Sequence, residues 1–83
     1  MDISKGSVVE RIARVLAGQR LSANANGEGI SVSAEVDASW QRHVDDARAV
    51  LRTLREPDQV MAAAGDPVIW ERMILAAIGE AAD

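Results

Sequence analysis

The chain has 83 residues, no cysteine, one histidine and a net charge of −4. That length fits one small helical domain with a thin core, and the composition excludes disulfide scaffolds, thiolate zinc sites, thiol nucleophiles and any centre built from two imidazoles of one chain. The acidic balance, with Trp40 and Trp70 as the sole aromatic side chains, argues against a strongly basic or base-stacking nucleic-acid binder.

The first helix is expected over about Val8 to Gln19, opened by a capping box of Ser7 and Glu10. At 100° per residue, Val8, Val9, Ile12, Ala13, Val15 and Leu16 share one broad face, with Glu10, Arg11 and Arg14 on the other. Residues 21–33 change to period two around Asn26-Gly27, a pair favoured in tight turns. Leu21 and Ala23 before it and Ile30 and Val32 after it predict a β-hairpin, with a plain loop as the alternative.

A second, longer helix is expected from about Val36 to Arg55, capped by Asp37 or Ser33. Its stripe is Val36, Trp40, Val44, Ala47, Leu51 and Leu54, flanked by Val50, and Pro57 ends it. A short helix follows from about Gln59 to Ala64, with Asp58 as cap and Gly65 as terminator. The last helix has Asp66 as N-cap and Pro67 in its first position, and should run to about Ala77–Gly79. The fold class is therefore all-α: three main helices and one short helix in a single domain, 1–83, with the hairpin as its β element.

The last helix is apolar almost all round. Ile69, Trp70, Met73, Ile74, Ala77 and Ile78 spread over about half its perimeter, and Val68 and Leu75 lie beyond that arc. Fifteen of the 83 residues are alanine, so few large side chains remain to enclose such a helix. Val68 and Leu75 are thus candidate contacts for a second copy, and a homodimer through this helix is expected.

Other constellations carry less chemistry. His43 has Asp46 three residues on as an orienting carboxylate, with Asp45 adjacent, but no nucleophile is marked. A boundary histidine is the plainer reading, and an enzyme the least expected class. Arg48, Arg52 and Arg55 fall at i, i+4 and i+7 and could touch phosphates, yet Asp45 and Glu56 flank them, as on an ordinary solvated face. Asn24, Asn26, Glu28 and Glu35 overlay positions 1, 3, 5 and 12 of a calcium-binding loop, with Gly29 at position 6. Asparagine at position 1, glutamate at 5 and Ser31 at 8 depart from that pattern, and an Asn-Gly turn is preferred. Trp40 and Trp70 are read as core pieces. No cofactor or metal site is expected.

Ala47-Arg48-Ala49-Val50-Leu51, Arg55-Glu56-Pro57, Met61, Ala64-Gly65, Trp70 and Met73-Ile74-x-Ala76-Ala77 resemble a pattern shared by short bacterial and prophage-associated helical proteins, roughly A-R-A-x-L, R-E-P, M, A-G, W-x-x-M-I-x-A-A. The resemblance covers the C-terminal half and brings no activity and no functional residue with it. Physically, Ala47 lets helices approach, Pro57 and Gly65 punctuate, and Met61, Trp70, Met73 and Ile74 pack. Arg55 and Glu56 have no packing role and stand out as surface determinants. The N-terminus lacks a basic segment followed by an apolar one, and no apolar run reaches membrane-spanning length, so a soluble cytoplasmic protein with a protein partner and no membrane contact is expected. The leading expectation is a non-catalytic interaction protein; a nucleic-acid-associated regulator using the arginine stripe and a calcium module are the alternatives.

Overall fold

Ser7 opens the first helix as its sequence suggests: its Oγ accepts from the Glu10 amide at 3.1 Å. The Glu10 carboxylate does not turn back to complete the box; it accepts from Arg14 Nε at 2.9 Å. The computed structural model describes residues 3–24 and 33–79. These form α1 (Val8–Asn24), α2 (Ser33–Ser39), a 3-10 turn (Trp40–His43), α3 (Val44–Leu54), α4 (Gln59–Ala64) and α5 (Pro67–Ile78), with no strand among the described residues. They fall into two compact units whose boundary lies inside α3, between Ala47 and Arg48.

In the first unit, α1 packs against α2 and the 3-10 turn. It does so through small residues: Ala13 and Ala17 are fully buried, and Val36 of α2 lies against Gly18. Helices approach closely where side chains are this small, so the larger Val15 of α1 is displaced to the surface, 61% exposed. Arg14, on the polar face by its spacing, stays partly exposed and reaches across to α2. Its guanidinium donates to Asp37 of α2 as well as to Glu10, and its Cζ lies 5.4 Å from the centre of the Trp40 ring. Asp37, and secondarily Glu10, push the Arg14 pKa above its ordinary value by hydrogen bonding to the charged form.

Several expectations are corrected here. Residues 21–24 extend α1 and do not form a strand, so the first half of the expected hairpin is helix; the rest of the hairpin, 25–32, lies outside the described residues. Leu21 and Ala23 alternate with polar residues, but the preceding helix already supplies the backbone hydrogen-bond partners that a strand would have to find in a neighbour. The calcium-loop overlay falls mostly on the same undescribed residues; of its ligand positions, Asn24 is the last residue of α1 and Glu35 lies in the first turn of α2.

The long second helix is interrupted. Ser39 Oγ donates to the Glu35 carbonyl at 2.7 Å, and the Ser39 backbone leaves helical geometry at φ −126°, ψ −7°. Such back-bonding by serine bends helices, and the next turn tightens to 3-10. Asp37, a candidate cap, sits inside α2 and serves Arg14. Neither tryptophan is a buried core piece; both are half-buried.

In the second unit the local signals hold. Asp58 accepts from the Met61 amide at 2.9 Å, and Asp66 Oδ1 accepts from the amides of Val68 at 2.9 Å and Ile69 at 3.3 Å. α5 stops where Gly79 takes the left-handed region at φ 84°, its amide bonding back to Ala76 and Leu75 carbonyls. The buried apolar side chains here are Leu51, Ile74 and Ile78.

Gly18 lies in the interior of α1, and a Cβ there would meet Val36 Cγ2 at 3.8 Å, an ordinary contact. Gly18→Ala is therefore expected to stabilise the protein by about 0.5–1 kcal/mol through helix propensity. A urea titration reads this as a raised midpoint with an unchanged slope; a lowered midpoint would show that the α1–α2 approach is closer than described.

Candidate interaction site

α5 carries two charges, Glu71 and Arg72, in twelve residues. Its buried edge holds Ile74 and Ile78, with Trp70 and Ala77 half-buried beside them. Trp70 is fixed there because its Nε1 donates to the Leu54 carbonyl at 2.6 Å, supplying a partner near the end of α3. With that edge set, the rest of the perimeter turns outward. Val68 is 65% exposed, Ile69 53% and Met73 62%, while Leu75 is half-buried. Met73, expected to pack, is displaced because Trp70 and Ile74 one turn back and one residue on already occupy the covered side.

Each outer flank of α5 borders a concavity. On the Ile69 and Met73 side, a mainly apolar groove of about 360 Å³ is lined by Pro57, Met61, Pro67 and Trp70, with Asp66 as its one charged residue. On the Val68 side, a shallow depression of about 440 Å³ is lined by Glu56, Pro57, Ala62, Pro67, Val68 and Glu71. The second holds two carboxylates and no basic side chain. Val60 of α4, 79% exposed, adds to the apolar surface of this unit.

The arginine stripe is occupied. Arg48 and Arg52 each hold an interaction within the chain, and Arg55 Nε lies 3.7 Å from Glu71 Oε2. Glu56 is exposed on the rim of the Val68 depression, in keeping with a surface role. His43 is half-buried in the 3-10 turn and lines a depression of about 450 Å³ with Ser39, Arg20, Arg42 and Asp46. Asp46 is brought to that concavity, but no hydrogen bond or ion pair links it to His43 among the described residues, and Ser39 Oγ is committed to the Glu35 carbonyl. No nucleophile–base–orienter chain is assembled there. Among the described residues no group of three or more acidic or histidine side chains could hold a metal ion, and no helix is long and apolar enough to cross a membrane.

Sequence periodicity singled out Val68 and Leu75 but passed over Ile69 and Met73 as interior. The signal that separates them is the hydrogen-bonding need of the indole: once Trp70 must reach a carbonyl, the orientation of α5 is fixed. No family model matches this chain, nor does any curated protein or solved structure.

Trp70→Phe keeps the ring and removes the donor to Leu54. It should lower stability by about 1 kcal/mol, the usual net worth of one such bond, read as a lower urea midpoint. An unchanged midpoint would mean that the indole does not set the orientation of α5.

Proposed function

We propose that this chain is a non-catalytic helical interaction protein that self-associates through α5. One observation carries the reading: the last helix covers one edge and leaves Val68, Ile69 and Met73 more than half exposed beside just two charges. Val60 of α4 is also exposed, and contiguous apolar surface on a small protein marks interaction sites. A thin core points the same way, since a small domain gains stability by burying surface against a second copy.

The alternative of a nucleic-acid-associated regulator needs cations available for phosphates. It draws little support from a stripe in which Arg48 and Arg52 already have interactions and Arg55 faces Glu71.

Static light scattering tests the proposal. The wild-type chain should have the mass of a dimer at micromolar concentration, and Val68→Glu should reduce it to a monomer with its helical circular dichroism retained. Val15→Glu, on the exposed side of α1, should leave the dimer intact. A wild-type monomer throughout the micromolar range contradicts the proposal.

A further inference from the structure

Four positions on the outer face of α5 form a palindrome. Val68, Glu71, Arg72 and Leu75 stand at i, i+3, i+4 and i+7 and so share one side of the helix. Read backwards, the order is apolar, basic, acidic, apolar at the same spacings. A two-fold axis passing between residues 71 and 72 therefore lays Val68 against Leu75 of a second copy and Glu71 against its Arg72, each contact occurring twice.

From this we infer that two copies pair as antiparallel α5 helices in this single register. The inference rests on the self-association proposed above and fixes its geometry. The surroundings of the face support it. The depression beside Val68 and Glu71 is bounded by Pro57, Ala62 and Pro67, an apolar recess where the opposing leucine arrives. Glu56 and Glu71 place two carboxylates on its wall where the opposing arginine arrives; Glu71 already has Arg55 3.7 Å away in an exposed pair, so the opposing arginine would share it. Arg72 itself is exposed and has no ion pair among the described residues. Parallel pairing would set Glu71 against Glu71 and Arg72 against Arg72, and like charges opposed across an interface are costly. The Ile69–Met73 flank has no such complementarity, because an axis centred there, between residues 72 and 73, sets Arg72 against Met73.

The absence of native cysteine allows a direct test on the full chain. Proteins carrying Val68→Cys or Leu75→Cys are oxidised separately and as an equimolar mixture. In the inferred register residue 68 faces residue 75, whereas two copies of residue 68 lie about 10 Å apart along the helix axis, beyond disulfide reach. The mixture should cross-link and each single variant should not. In parallel, Glu71→Arg or Arg72→Glu alone should weaken the dimer about tenfold, and the double exchange should restore it. Rapid cross-linking of Val68→Cys with itself, or a double exchange as weak as either single variant, overturns the register while a dimeric mass preserves the self-association. A monomeric wild-type mass removes both.

Discussion

Close approach through small side chains governs this structure. In the first unit the fully buried positions are alanines, Ala13, Ala17 and Ala47, and Gly18 admits Val36. Such packing brings helix backbones together but gives each residue little area to bury, and hydrophobic stabilisation scales with area, at about 25 cal/mol per Å². The larger apolar side chains, Val15, Val60, Val68, Ile69 and Met73, are left outside. Among the described residues the larger apolar side chains held inside are Leu51, Ile74 and Ile78.

Polar contacts supply what alanine packing cannot. Arg14 ties α1 to α2 through Asp37 while its guanidinium lies over the Trp40 ring, so one side chain joins two elements and covers an aromatic face. In the second unit the indole of Trp70 does the equivalent work by reaching the Leu54 carbonyl. That bond orients α5, and through it decides which side chains of the helix remain outside. A helix held by one edge leaves the other uncovered within its unit.

Contacts spanning two to four residues were legible in the sequence. The caps at Ser7, Asp58 and Asp66 and the stop before Pro57 need no knowledge of the rest of the chain. Longer-range decisions were not. Arg14 meets a carboxylate 23 positions away, which helical periodicity cannot reveal. The break at Ser39 depends on its hydroxyl choosing the Glu35 carbonyl over solvent. The strand reading of Leu21 to Ala23 came from an alternation that a helix already under way tolerates equally well. Composition marks α5 as the most apolar helix, but its exposed edge can be narrowed only once Trp70 has a partner.

The central claim is that the outer face of α5 is covered by a second copy of the chain, and the most direct measure of it is the thermal midpoint as protein concentration is varied. Unfolding coupled to dissociation becomes harder as concentration rises. The account predicts a midpoint that climbs by several degrees over a hundredfold increase in concentration, on the scale expected for about 1–2 kcal/mol in a domain of this size. A midpoint independent of concentration, with unfolding reversible, would contradict it.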